Sequence, residues 1–458
     1  MVGRLVLQMK HWGKSIEYFI DFIFVAVTYA FLLSIFQPSL LLSDTFITGG
    51  DTGSHMYPAW YMRQYLLPHL KLFGWSMDWY GGFPIFEYYF PLPFAVAALM
   101  SYVISFNISF KLVTAFGVFL LPIASYAYMR LVGFKHPAPA LACVFSLCLL
   151  FNEEYSIWGG NIKSTLAGQF TFTWGQALAV LFMGLVYSFV ESKKHFLKSA
   201  IVLAAIPICH IYTLIWAVSS SMPIVISRAK KDFIAKANRL WAVYICGFLL
   251  SAFWSMNTVA KLGWSTAFGA WRSQSIWEVV PNILLPFYPL AIAAVFYFLY
   301  KPSRKLGYLL SITISPILFF AFIKLSSTEH LLDVRFMPFA YLGILYLSAY
   351  VLSKIIRSFR GVWISSIIVL LISMMWVTQN MQILALSRGL YSGVIEFSDP
   401  TVKTSIKQVF SLKYDGAVPS WVSWNYKGYD VLTTWPGVKK FFDYLSTLPD
   451  GRVVHEFS

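Results

Sequence analysis

An aspartate at position 51 follows two glycines and precedes a histidine by four residues, in Gly49-Gly50-Asp51-Thr52-Gly53-Ser54-His55. The glycines let the backbone turn sharply, and a carboxylate presented on such a turn can take a proton from a hydroxyl. The same position suits a helix N-cap, which would occupy the carboxylate with backbone N–H groups. Further along stand an acidic pair, Glu153-Glu154, a lone His210, and the cations Lys261, Arg272 and Arg335. Such cations can hold a leaving phosphate, and Glu153 or Glu154 offers an alternative base. Trp79 and Tyr80, with Trp75, Tyr88 and Tyr89, could stack on sugar faces, although Trp and Tyr also gather at any membrane interface. Asp51 and His55 share a helix face. Two ligands are a weak metal signal, so a divalent cation stays open and no other cofactor is indicated.

What positions these residues is a membrane bundle. Of 458 residues, 58% are hydrophobic and 12% charged, and the mean hydropathy is +0.65. Too few polar side chains exist to cover a soluble globule of this length. The excess of 35 basic over 20 acidic residues then marks cytoplasmic loops rather than nucleic-acid binding. Cys143, Cys148, Cys209 and Cys246 lie in apolar stretches without zinc-type spacing and read as small core residues. No phosphate-cradling glycine loop, nucleophile elbow or HExxH motif occurs.

Counting apolar runs at about 20 residues per crossing gives an all-α polytopic protein of about eleven spans. The first, residues 18–38, follows Arg4, Lys10 and Lys14, which put the N-terminus in the cytoplasm and the Asp51 loop outside. Basic loops at 193–198, 228–239, 301–305 and 354–360 share the inner side, so the chain between Asp51 and residue 152 crosses an even number of times. Runs 111–131 and 137–151 supply two crossings. Residues 52–67 and 92–106 are then interfacial helices in the first outer loop, and Glu153-Glu154 returns to the face of Asp51. Residues 199–227 are too long for one span and too short for two, and basic on both flanks, so they predict a short hairpin with its tip near Pro207 and His210. A histidine at that depth is a functional candidate, or a neutral group satisfied within the bundle. Arg335 could face a ligand, pair with Asp333, or anchor a helix end.

Two units follow: a transmembrane module over 1–380 and an extracytoplasmic tail over 381–458. The tail's last residues, Leu448 to Glu456, predict a turn into a strand and look like the start of a truncated soluble domain.

Gly49-Gly50-Asp51-Thr52 with His55, Trp79-Tyr80-Gly81-Gly82-Phe83-Pro84, and Asp333-Val334-Arg335-Phe336-Met337-Pro338-Phe339 resemble the multi-pass membrane family named as related to 6-pyruvoyl-tetrahydropterin synthase. Despite that label these are GT-C-like proteins, and the arrangement of loops resembles the GT-C superfamily of polyprenyl-phosphate-sugar glycosyltransferases. The resemblance implies a plasma-membrane enzyme that transfers a sugar, with inversion, from a polyprenyl-phosphate donor to an extracytoplasmic glycan, glycolipid or protein. Asp51 would be the base, Glu153 or Glu154 the acid of the second loop, and Arg335 the partner of the lipid phosphate. Glu153-Glu154-Tyr155 lacks the DxD or ExD pair common in that superfamily, so metal dependence and the choice of glutamate stay open. Relatives tend to carry a larger outer domain, which admits a partner subunit here. The rival readings are a non-enzymatic exporter of lipid-linked saccharide, with His210 lining its pathway, and an idle subunit of a larger complex.

Overall fold

The computed structural model describes residues 2–79, 81–227, 229–265, 273, 275–326, 331–359, 361–391, 416–449 and 451, with backbone alone at 2–14, 276 and 379–391. Tyr80, Arg272 and most of the expected strand after Leu448 lie outside the described residues.

Each apolar run becomes a helix that continues until charge, glycine or a polar turn interrupts it. Among the described residues six helices are long and apolar enough to cross a membrane: Ser15–Phe36, Phe106–Val132, Ile162–Ser192, Lys230–Ala260, Arg304–Leu325 and Asp333–Ile356. Shorter apolar helices run over Ala138–Leu150, Phe196–Ala205, Ile211–Val225, Phe287–Tyr300 and Val362–Thr378. Every expected span therefore has a helix; several, such as Phe287–Tyr300, are too short to cross alone, while the last continues as a helix over Val362–Tyr391. The bundle is tied at its centre by Phe106–Val132 and Phe170–Ser192. Trp174 Nε1 donates to Val113 O at 2.7 Å across this pair, and a side chain on Gly117 would come within 2.7 Å of Trp174 N. Small residues at such crossings let membrane helices approach closely.

The first loop is short helices rather than spans: Thr52–Tyr61, a π turn over Met62–Leu66, and Leu92–Met100. The last has nine residues, about 14 Å at the helical rise, too short to cross. Between them Gly74–Ser76 pairs antiparallel with Phe83–Ile85, Trp75 opposite Pro84, a two-stranded exception to the all-helical expectation. The hairpin also forms. Phe196–Ala205 and Ile211–Ser221 meet at a break over residues 206–210, where Ile208 O accepts the N–H of Leu92 at 3.1 Å. His210 thereby sits against the end of the first loop.

The basic turns gather at the end of the bundle remote from Asp51. Lys236 pairs with Glu191 at 2.8 Å and Asp232 at 3.4 Å, while Arg304 reaches Asp232 at 3.4 Å. Lys305 Nζ donates to Gly133 O at 2.8 Å. Buried Asp21 and His136 pair at 2.6 Å, fastening the first helix to the 134–137 turn.

Candidate functional site

The turn carrying Asp51 is gripped from two sides. Asp51 N–H donates to Ala167 O at 3.0 Å and Thr52 Oγ1 to Leu166 O at 2.6 Å. Both acceptors belong to a π turn, Thr165–Gln169, in which Gly168 has φ +115°. A Cβ on Gly168 would stand 2.8 Å from Asp51 Cβ, so a side chain there would push the two turns apart. On the other side lies the tail helix Val418–Lys427. Asn425 O accepts the Thr48 N–H at 2.9 Å, and its side chain fills the space a Cβ on Gly49 would need, 2.3 Å from Oδ1. Asp51 occupies the N-cap position of Thr52–Tyr61 with φ −78° and ψ −5° and makes no side-chain cap hydrogen bond. Capping uses an extended backbone at that residue; in helical geometry the carboxylate is carried outward instead. The cap open to it by sequence is not made, and the carboxylate is exposed.

From Asp51 a continuous run of rings leads to Arg335. His55, one turn on, stacks on Tyr89 at 5.3 Å and lies edge-on to Phe94 and Phe170, each at 5.8 Å. Its Nε2 meets Tyr89 OH at 3.3 Å. Burial among these rings pushes the His55 imidazole down to about 4, against the pull of Asp51, so the ring is neutral at pH 7. Burial likewise raises the Tyr89 phenol to about 12, with Arg335 opposing and Asp51 adding to the rise. Tyr89 is thus a neutral hydroxyl that feels both the acid and the cation. Next to it Phe90 lies 4.6 Å from the buried His210 ring, which also touches Phe172 and Tyr212. The Arg335 guanidinium sits 5.6 Å over the Tyr212 ring.

Arg335 has not taken its neighbouring acid. Asp333, fully buried, accepts from Ser273 N–H at 3.3 Å, Ser273 Oγ at 3.1 Å and Val334 N–H at 2.7 Å. Arg335 Nε has no hydrogen-bond partner, and among the described residues the guanidinium forms no ion pair. A 3₁₀ turn, Asp333–Phe336, followed by Pro338 in the first turn of Met337–Ile356, sets this geometry. Proline there forgoes only an N–H that would lack a helical partner.

Other candidates stand around this axis. Glu153 Oε1 accepts the Val418 N–H at 2.9 Å and so holds the start of the tail helix. Glu154 Oε1 accepts the Asn282 N–H at 2.6 Å. Lys163 Nζ donates to Glu153 O at 2.8 Å and lies 5.0 Å over Trp421 of the tail helix. Lys261 pairs with Glu87, and its carbonyl accepts from Tyr88 OH at 2.8 Å, which ties it to the chain just before Tyr89. Trp79 stands apart from the ring axis, packed on Tyr57 at 5.4 Å and Phe83 at 5.2 Å. Among the described residues no three His, Cys, Asp or Glu side chains converge as a metal site. Asp51 and His55 lie one helical turn apart, and His55 Nε2 is turned to Tyr89.

An apolar groove of about 590 Å³ approaches the axis between the hairpin and Lys230–Ala260, lined by Leu203, Pro207, Leu214, Gly247, Phe248 and Trp254 among others. Tyr88 and Phe90 also line it, and Phe90 is the ring that lies against His210.

Residues 86–382 match the family described as 6-pyruvoyl-tetrahydropterin synthase related domain, membrane protein. The chain belongs to this family. As a 6-pyruvoyl-tetrahydropterin synthase related membrane protein, it carries Tyr89, His210 and Arg335 inside the matched region and Asp51 ahead of it. No curated protein matches it by sequence. Among solved structures it is similar to ArnT from Cupriavidus metallidurans in the apo state, at 15% identity and a TM-score of 0.47, over 88% of this chain and 74% of that one. It is also similar to the Archaeoglobus fulgidus oligosaccharyltransferase in the apo form, at 11% identity and a TM-score of 0.50, over 96% of this chain. The chain spans 62% of that oligosaccharyltransferase's length. The fold of this family member is GT-C-like.

Two residues escape sequence reasoning as organisers of the site. Tyr89 is one of 27 tyrosines, and the sequence offers it only as one of five rings that could stack on a sugar face. Asn425 lies far from Gly49 in the chain, and only the missing Cβ at Gly49 hints that something must occupy that space.

Proposed function

We propose that this protein is a membrane glycosyltransferase that moves a sugar from a polyprenyl-phosphate donor to a hydroxyl of an extracytoplasmic glycan, glycolipid or protein. The observation that carries the reading is the pairing, along one aromatic axis, of an exposed uncapped carboxylate with a guanidinium that has no acidic partner among the described residues. An apolar groove ending at that axis suits the polyprenyl chain. By name, the oligosaccharyltransferase whose fold this chain shares acts on saccharides.

In this reading Asp51 takes the proton of the acceptor hydroxyl as its oxygen bonds to the anomeric carbon. The bond from that carbon to the phosphate oxygen breaks on the opposite face, and its electron pair leaves with the polyprenyl phosphate. Arg335 faces the charge that develops there, in surroundings where neutral His55, Tyr89 and aromatic rings supply little competing solvation. Glu153 and Glu154 keep the tail helix and the Asn282 turn in place around the acceptor side, and Lys261, held by Glu87, lines the donor side. The basic turns face the cytoplasm and Asp51 the outer surface. The exporter alternative needs His210 to line an open path, whereas its ring is enclosed by Phe90, Phe172 and Tyr212.

Asp51→Asn keeps size and hydrogen bonding and removes the base. Purified variant should lose about 10²- to 10⁴-fold in turnover with a polyprenyl-phosphate sugar, at unchanged melting temperature. Wild-type rates from a folded variant would remove Asp51 from the mechanism.

A further inference from the structure

At the end of the bundle remote from Asp51, three turns ring a cavity of about 630 Å³. Its lining includes Lys135 from the turn after Phe106–Val132, Lys301 from the turn after Phe287–Tyr300, Lys305 from the start of Arg304–Leu325, and Lys354 and Arg357 from the end of Met337–Ile356. Ser303, Ser353 and Ser358 add hydroxyls, and no carboxylate lines it.

Basic loops are common on the cytoplasmic side of membrane proteins, but that tendency does not explain this convergence. The neighbouring basic cluster at the same end is neutralised: Lys236 and Arg304 meet Glu191 and Asp232. Around the cavity none of the five cations forms an ion pair among the described residues. Lys305 is steadied by Gly133 O at 2.8 Å, and Lys354 lies 5.7 Å over the Tyr350 ring. Five like charges held round one hollow repel each other, and an anion between them relieves that. Beside the cavity, Tyr297 of its wall continues into the outward face of Phe287–Tyr300, where Ile292, Phe296 and Leu299 are exposed. Polar cradle and apolar flank together fit a headgroup with its chains, since basic pockets between membrane helices bind anionic headgroups.

We propose that this cavity is a binding site for the phosphate-bearing headgroup of an anionic membrane phospholipid, separate from the Asp51 axis. Lys301, Lys354 and Arg357, three of the four cavity cations with no side-chain bond to backbone among the described residues, supply most of the recognition, and Lys305 shapes the rim.

The test uses the full-length protein in nanodiscs, titrated with fluorescent phosphatidylglycerol and, in parallel, fluorescent phosphatidylcholine. Phosphatidylglycerol should bind more tightly than phosphatidylcholine and weaken as salt rises. The triple variant Lys301→Gln, Lys354→Gln, Arg357→Gln should lose roughly a hundredfold in that affinity, three surface charges each contributing about fivefold. A control triple at the same end but off the cavity, Lys193→Gln, Lys194→Gln, Lys198→Gln, should leave it within about twofold. Equal binding of the two lipids by wild-type protein would overturn the proposal without need of any variant. So would an equal loss in the control triple, which would mean diffuse surface charge. Soluble pyrophosphate that binds the wild type as tightly as the lipid does would overturn the lipid assignment in favour of a free anion.

Discussion

Two groups of charges in this bundle are handled in opposite ways. In one cluster at the end remote from Asp51, Lys236 is buried and met by two carboxylates, and Arg304 shares both acids, so these charges spend themselves on one another. At the Asp51 end Lys261 pairs with Glu87, but the acids and the cation along the ring axis are kept apart. Asp333 is turned to Ser273 and its own backbone, Glu153 and Glu154 accept N–H groups from other elements, and Arg335 lies over an aromatic ring. Neutralised pairs hold a fold together; a separated acid and cation remain able to act on a third molecule. That contrast supports the proposed roles of Asp51 and Arg335 more than any single residue does.

Four measurements would sharpen or break the contrast. Arg335→Gln should cost about 10²- to 10³-fold in turnover, the loss expected when a preorganised charge partner is removed, with a melting temperature close to wild type. A large fall in stability with little change in turnover would make Arg335 a structural cation like Lys236. Next comes acid. His55 is held neutral with its pKa near 4, while an unfolded histidine titrates near 6.5, so the unfolded chain binds the extra proton first. The stability this gives is full above pH 6.5 and is lost as pH falls to about 4, by up to about 3 kcal/mol. Thermal unfolding between those pH values should show it, and His55→Gln should flatten the difference; an unchanged slope would mean that the ring is already solvated. Glu153→Gln keeps an acceptor for Val418 but removes its charge and should loosen the tail helix by about 1 kcal/mol, with turnover down less than tenfold. A thousandfold loss would instead return Glu153 to the chemistry. The smallest effect belongs to the far end: Lys236→Met keeps the stem and should lower stability by about 1 kcal/mol, because its carboxylate partners stay partly solvated and retain Arg304. Turnover should not change.

Much of the scaffold was legible because membrane insertion is governed by local quantities, run length and the placement of Lys and Arg. The hairpin around His210 followed from 199–227 being the wrong length between two basic flanks, and the return of Glu153-Glu154 to the Asp51 side followed from parity. The number of full crossings did not follow, because several helices, such as Phe287–Tyr300, are shorter than a bilayer is thick. At the site the sequence offered the charged groups but not their partners. Whether Asp51 caps its helix turns on one ψ angle, and whether Arg335 pairs with Asp333 turns on Ser273 arriving from another loop. Tyr89 and Asn425 were hidden for the same reason: their importance lies in what touches them.

The grip of the tail helix on the Asp51 turn also has a meaning in time. Thr48 and Gly49 are among the first residues to be made, and the Asn425 that holds them is made 377 residues after Thr48. At ordinary rates of synthesis that gap lasts on the order of twenty to seventy seconds. During it the early helices can insert and pack while the Asp51 turn lacks one of its two walls. An emerging chain can therefore sit in the membrane with the Asp51 turn still held on one side only, and the helix Val418–Lys427 acts as the latch that closes it.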